Sequence, residues 1–235
     1  MTEEPGKSVG IHPEELARRY PLLYHMAEAG TWDSIRQHGL LSTSGLLDLF
    51  EITGAEREQV ESQRRPESVT ISHPKHGTAV IRDQKPMREA AIASCLTDVT
   101  PRQWYEILNR RVFFWLTRKR LITLLTARAY RGKVHCVLTV DTARLIERHM
   151  DRITLSPINS GSALYDPRPR GSRTFLTPGE YPYSERYKLR GEKDAIAELA
   201  VDYAVIDIGD LVVSVNHMKG DKVIKKLYER KAHHS

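Results

Sequence analysis

Three short segments of the chain carry residue types suited to binding and transferring a charged group. Tyr24 and His25 lie in the apolar run 22–26, and Arg118 and Arg120 follow the aromatic run 112–116. Cations at the start of a helix oppose its dipole, and an anionic ligand such as a phosphate can offset that cost. Glu198 lies within the apolar run 195–201, from which a carboxylate can stabilise positive charge or take up a proton.

Each of these segments also has a purely structural interpretation. A histidine in an apolar strand is commonly a hydrogen-bonded core residue. The arginines after residue 116 could form a solvated charge cluster, and Glu198 could face solvent from an edge strand. The choice depends on whether the three segments meet in the folded chain.

A long loop supplies further basic residues. The stretch 157–193 holds prolines, glycines, arginines and tyrosines without the period of a helix or a strand. A loop of this length in a domain is usually functional or disordered. It contains Asn159 and then Arg168, Arg170 and Arg173, which are typical of a surface that binds the phosphates of nucleic acid.

Composition excludes several classes of protein. The chain has 235 residues, a net charge of +6 and two cysteines, which argues against a disulfide scaffold and favours a reducing cytoplasm. No apolar run approaches the ~20 residues of a membrane span, and no secretory signal is recognisable, so no membrane partner is expected. The motifs of P-loop NTPases, Rossmann dinucleotide folds, zincins and serine hydrolases are missing, and the scattered histidines predict no metal site.

The order of predicted elements favours the α+β class, because helices and strands mix without regular βαβ alternation. We expect a flexible tail over 1–12, one domain over 13–218, and a basic, helical or frayed tail over 219–235. The predicted strands are 22–26, 69–72, 78–81, 112–116, 134–140, 152–155, 195–201 and 211–215. The predicted helices include 13–20, 32–38, one beginning after Thr100 and one after Thr117.

Together these segments resemble the ADP-ribosyltransferase fold, most nearly the DarT-type toxins that modify nucleic-acid bases. Tyr24-His25 and the later Gly39-Leu40-Leu41 turn are similar to the opening blocks of that group. Phe113 to Arg118 resembles its aromatic strand running into an arginine, and Ala197 to Val201 resembles its strand with the catalytic glutamate. The chain also resembles an uncharacterised bacterial domain family, through the string from Asn109 to Trp115.

The resemblance implies a split β-core with flanking helices, and a helical and hairpin insert over about 46–110. It implies NAD as substrate, nucleic acid as the acceptor of ADP-ribose, and a possible antitoxin partner. Glu198 and Arg118 would be catalytic, with Arg120 as the rival arginine. The expected NAD-binding residues are His25, Tyr24, Gly39, Leu40, Arg120 and Asn159.

Two other interpretations stay open at this point. The same fold could hydrolyse NAD without an acceptor or transfer a 2′-phosphate of RNA, although phosphotransfer relies on basic residues rather than on a carboxylate such as Glu198. Alternatively, the chain is a non-catalytic nucleic-acid-binding module that uses the arginines of the long loop.

Overall fold

A seven-stranded antiparallel sheet is the central feature of the computed structural model, which describes residues 10–163 and 167–231. In chain order the strands in these ranges are β1 (Leu22–Glu28), β2 (Leu40–Leu41), β3 (Val69–His73), β4 (Gly77–Ile81), β5 (Arg111–Trp115), β6 (His135–Asp141), β7 (Ile153–Ser156), β8 (Glu198–Asp202), β9 (Ala204–Val205), β10 (Val212–Lys219) and β11 (Lys222–Glu229).

The large sheet is nearly split between its two central strands. Its order is β11-β10-β6-β1-β5-β8-β7, while β2 pairs with β9 and β3 pairs with β4. Strand β1 pairs with β6 along its whole length, from Leu22 to Glu28. All residues of β1 and β5 are described, and these two strands pair at a single position, where Tyr24 lies opposite Trp115. Beyond that pair the two strands diverge, which divides the sheet into a four-stranded and a three-stranded part.

Helices cover both faces of this sheet. Thr117 caps α7 by accepting a hydrogen bond from the Arg120 amide, and Thr100 forms a capping box with Gln103 at the start of α6. In the described ranges the helices are α1 (Pro13–Arg19), α2 (Trp32–His38), α3 (Thr43–Leu49), α4 (Gly54–Glu61), α5 (Glu89–Cys95), α6 (Pro101–Asn109), α7 (Arg118–Thr126), α8 (Thr142–His149), α9 (Tyr183–Arg190), α10 (Glu192–Ala195) and α11 (Ile208–Leu211).

Two apolar layers hold the helices against the sheet. On one face, Leu16 of α1 and Leu145 of α8 join a core that includes Leu23 and Phe114 of the central strands. On the other face, Leu121 and Leu125 of α7 pack with Met26 and Val137. Burial of these side chains is the main favourable term in folding, and it fixes the strands that carry Glu198 and His25.

The segment between β2 and β5 forms its own apolar cluster beside the sheet. Leu47 of α3 and Phe50, the residue after that helix, pack there with Val60 of α4 and with the β3–β4 hairpin, through Ile71 and Ile81. This part of the chain therefore contains helices and a hairpin, and Arg82 at the end of the hairpin contacts β1 through the Met26 carbonyl.

Three structural predictions need correction. Residues 222–229 form β11 rather than a helical or frayed tail, because Gly220 takes a positive φ of 58° and makes a tight turn with Asp221. The loop 157–193 contains helix α9, whose polar sequence hides its period. Ile11, within the expected tail 1–12, is buried in the core; the rest of that prediction, residues 1–9, lies outside the described residues, as do 232–235.

The prediction of mixed α and β structure is confirmed by this sheet and its helices. In the described parts of the chain, no helix combines the length and apolar character that crossing a membrane requires.

Replacement of Gly39 by alanine should lower the free energy of unfolding by about 2 kcal/mol. The cost combines backbone strain at a positive φ with a clash of the added Cβ. The φ of Gly39 is +87°, and an added Cβ would lie 2.6 Å from the Ile206 Cα. Gly30 is the matched control, since its φ is +86° with nothing within 4 Å of an added Cβ. Urea unfolding should show a smaller loss for Gly30→Ala than for Gly39→Ala; equal losses would mean that the contact with Ile206 costs nothing.

Candidate active site

A cavity of about 370 Å³ opens where β1 and β5 diverge. Its volume falls in the range of roughly 300–1,000 Å³ that is typical of small-molecule sites. Residues of β1 and β5, of the turn after α2 and of the end of β4 line it. Among its lining residues are His25, Gly39, Leu40, Arg82, Trp115, Asn159, Ser160 and Glu198.

Glu198 is the first residue of β8 and is 4% exposed. It lies opposite Trp115 of β5, so both side chains project from the same face of the sheet. Ser160 donates two hydrogen bonds to Glu198 Oε2, one from its amide at 3.1 Å and one from its hydroxyl at 2.6 Å. These bonds fix the carboxyl group at the cavity lining.

Burial raises the pKa of Glu198 to about 7, although the Ser160 hydrogen bonds and the charges of Arg120 and Arg170 act in the opposite direction. A carboxyl group with a pKa near neutrality can exchange a proton with a ligand at physiological pH. That property is typical of groups that act as general acids or bases.

Arg170 positions the loop that holds Glu198. Its Nη1 donates to the carbonyl oxygens of Ser160 at 3.0 Å and Ser162 at 3.1 Å. The residue is 2% exposed, and its guanidinium lies over the Trp104 ring. Arg170 therefore reaches Glu198 through the backbone of Ser160 rather than by direct contact.

His25 lies on the other side of the split, on β1. Its Nδ1 is 2.8 Å from the Phe113 carbonyl oxygen of β5, and a carbonyl can only accept, so Nδ1 carries the proton. Desolvation lowers the pKa of His25 to about 4, and the bond to Phe113 only partly opposes it. The imidazole is therefore neutral near pH 7, and its Nε2 is a hydrogen-bond acceptor.

Arg82, directly after β4, supplies positive charge to the cavity. Its guanidinium lies 4.8 Å from the centre of the Tyr130 ring, and its Nη1 donates to the Met26 carbonyl at 3.4 Å. The Glu28 carboxylate is 3.9 Å from its Nε. The Tyr130 hydroxyl donates a hydrogen bond to Asp83, which fixes the ring against which the Arg82 guanidinium packs.

The structure brings together five of the residues predicted from sequence. Glu198, His25, Gly39, Leu40 and Asn159 all line this cavity.

The other predicted site residues lie elsewhere. Tyr24 packs beside the α7 layer, and Arg118 is exposed at the start of α7; neither lines the cavity. Arg120, Arg168 and Arg170 line a second cavity, with Asn159 at the border of both, and exposed Arg173 lines neither of the two.

Sequence reasoning missed Ser160 and Arg82. Ser160 stands next to the predicted Asn159, but nothing local marks it as the partner of a carboxylate 38 residues later. Arg82 follows a predicted strand, and the ends of strands often carry binding residues, which was the available signal. Within the ranges 10–163 and 167–231, no group of three or more histidine, cysteine, aspartate or glutamate side chains is arranged to hold a metal ion.

Comparison with known proteins places the chain in a family. Residues 21–212 match the model of a family of unknown function (DUF7002). The matched range begins just before β1 and ends at the first residue of β10, so it includes His25, Arg82, Ser160 and Glu198. No curated protein matches the chain. Because the match covers more than half of its length, the chain belongs to the DUF7002 family.

Proposed function

We propose that the chain is an NAD-dependent mono-ADP-ribosyltransferase that modifies nucleic acid. The observation that carries this proposal is the presence of Glu198 and His25 in one cavity, although they are 173 positions apart in sequence. The order of the elements and the gap between β1 and β5 support an ADP-ribosyltransferase fold with a split β-core.

The lining residues suit the parts of a dinucleotide. The neutral His25 offers Nε2 as an acceptor for a ribose hydroxyl, and Arg82 offers a planar pair of donors for pyrophosphate oxygens. Trp115 and Tyr130 contribute aromatic surface for a ring. Glu198 lies opposite Trp115, where it can accept a hydrogen bond from the ribose next to nicotinamide.

The reaction divides into bond cleavage and transfer. The bond between nicotinamide and ribose C1′ breaks, and its electron pair leaves with nicotinamide, so positive charge develops on the ribose. The Glu198 carboxylate stabilises that charge, as carboxylates do in glycoside cleavage. The acceptor's nucleophilic atom then bonds to C1′, and its proton passes to Glu198 and on to solvent.

Arg82→Gln should weaken NAD binding about tenfold, because a charge-assisted pair of hydrogen bonds to the pyrophosphate is lost. Calorimetric titration of NAD into the folded variants measures the effect. Arg118→Gln removes the same charge from the arginine indicated by sequence, and we expect its affinity to match the wild type. A tenfold loss at Arg118 with none at Arg82 would assign the pyrophosphate to the start of α7 instead.

A second candidate function is non-catalytic binding of nucleic acid. The observation that favours it is the second cavity, which four arginines line. In that case an oligonucleotide would bind, and NAD would neither bind nor raise the melting temperature of the protein.

A further inference from the structure

The second cavity has a volume of about 260 Å³ and is lined in part by the loop 157–162, in which Ser160 binds Glu198. Ala197, the residue before Glu198, is part of its lining, together with Pro157, Ile158 and Ser162. Its charged lining residues are Arg120, Arg168, Arg170, Arg190 and Asp194. Among the described residues, this lining brings four guanidinium groups together with the Asp194 carboxylate, and guanidinium groups suit the oxygens of an anionic ligand.

Arg120 shows a donor that its protein contacts leave unused. Its Nη2 donates to Asp194 Oδ1 at 2.7 Å, whereas its buried Nε makes no hydrogen bond within the described part of the chain. Leaving a buried donor of a charged group unsatisfied is costly, and a ligand oxygen would satisfy it. Arg190, at the end of α9, reaches the same cavity from an exposed position.

The two cavities adjoin at the candidate catalytic group. Asn159 lines both of them, and Ser160 links that border to Glu198. Arg170, which lines the second cavity, donates to the carbonyl oxygen of Ser160, and Ser160 binds the Glu198 carboxyl group. A ligand in the second cavity would therefore be separated from Glu198 by the loop residue Ser160. A chain-like substrate could occupy both cavities at once.

We propose that the second cavity binds a backbone phosphate of the nucleic-acid strand that accepts ADP-ribose. Guanidinium groups match the geometry of phosphate oxygens, and contacts to phosphates position a strand without reading its sequence. The strand's neighbouring nucleotide then enters the first cavity past Asn159 and meets Glu198. The phosphate site stands on the unused Nε of Arg120 and on the exposed Arg190, while the transfer step rests on the proposed function.

Binding of a fluorescent single-stranded oligonucleotide to the full chain, followed by anisotropy over a series of salt concentrations, tests this site. Arg120→Gln and Arg190→Gln should each weaken binding about tenfold, since a charged hydrogen bond to phosphate is lost. Each should also reduce the slope of log affinity against log salt by about 0.7. Lys188→Gln, on the exposed surface of the same helix as Arg190, removes one charge and should leave both quantities near the wild type.

Three results would overturn the proposal. If Lys188→Gln lost as much oligonucleotide affinity as the arginine variants, the effect would come from the overall charge of the protein and not from the second cavity. Unchanged oligonucleotide affinity in both arginine variants would place the strand elsewhere. Loss of NAD affinity in Arg190→Gln, with oligonucleotide affinity intact, would assign the cavity to the dinucleotide.

The outcome is independent of catalysis. If the arginine variants lose oligonucleotide binding but the wild type releases no nicotinamide from NAD, the phosphate site stands and the proposed enzyme activity fails. If nicotinamide is released and the arginine variants bind the strand like the wild type, the activity stands and the phosphate site fails.

Discussion

Glu198→Gln is expected to lower the rate of nicotinamide release from NAD by about 10³-fold, the cost typical of removing the main electrostatic stabiliser of a transition state. Glutamine keeps an oxygen that can accept the two hydrogen bonds from Ser160, so the cavity keeps its shape. What disappears is the negative charge that faces the ribose as its bond to nicotinamide breaks. The affinity for NAD should therefore change little while the rate falls.

Glu185→Gln is the matched control for this loss. Glu185 lies on the exposed surface of α9, lines neither cavity described above, and loses the same charge when replaced. Liquid chromatography of the released nicotinamide compares the two variants with the wild type at saturating NAD. Removal of the main electrostatic stabiliser lowers a rate far more than threefold. If the Glu198→Gln rate were within about threefold of the wild-type rate, Glu198 would have no part in the mechanism.

The same substitution is expected to stabilise the protein by about 3 kcal/mol at pH 8, because a shift of one pKa unit corresponds to 1.36 kcal/mol. Burial raises the pKa of Glu198 from 4.5 in the unfolded chain to about 7 in the fold. The folded state thus holds the proton more tightly, and its stability falls as the pH rises from 4.5 through 7. Glutamine has no proton to lose, so Glu198→Gln avoids this cost.

Urea unfolding of both proteins at pH 8 and pH 5 measures the effect. The variant should be more stable by about 3 kcal/mol at pH 8, and the difference should fall below about 1 kcal/mol at pH 5. His25 acts in the opposite direction, since its low pKa costs stability as the pH falls from 6.5 towards 4, but it is present in both proteins and cancels in the difference. If Glu198→Gln lowered the free energy of unfolding equally at pH 8 and pH 5, ionisation of Glu198 in the folded state would cost little stability.

The regular elements were predictable because they follow from local patterns. The apolar aromatic run before Thr117 forms β5, and the helix predicted after Thr117 is α7, which the Thr117 hydroxyl caps. Strand β11 was missed because its exposed, lysine-rich sequence lacks a buried face. The Gly220 turn that forms its hairpin was a signal that the sequence contained.

The site was partly predictable for a different reason. His25 and Glu198 stand out because each is a polar group in an apolar strand, and such groups are buried only where something satisfies or uses them. The choice between arginines was not predictable. Arg118 follows β5 directly but projects to solvent, whereas Arg82 reaches the cavity through the packing of the β3–β4 hairpin over the sheet. The end of a predicted strand was a general signal for Arg82, but this tertiary packing, which decides between the arginines, has no local sequence signature.

Nicotinamide release by the purified wild-type chain, measured with NAD and single-stranded oligonucleotides of mixed sequence, tests the central claim most directly. Glu198 and His25 in one cleft predict release that grows with time and protein concentration, accompanied by an oligonucleotide heavier by one ADP-ribose. A folded protein that releases no nicotinamide above the buffer blank would contradict the assignment of this cavity to NAD cleavage.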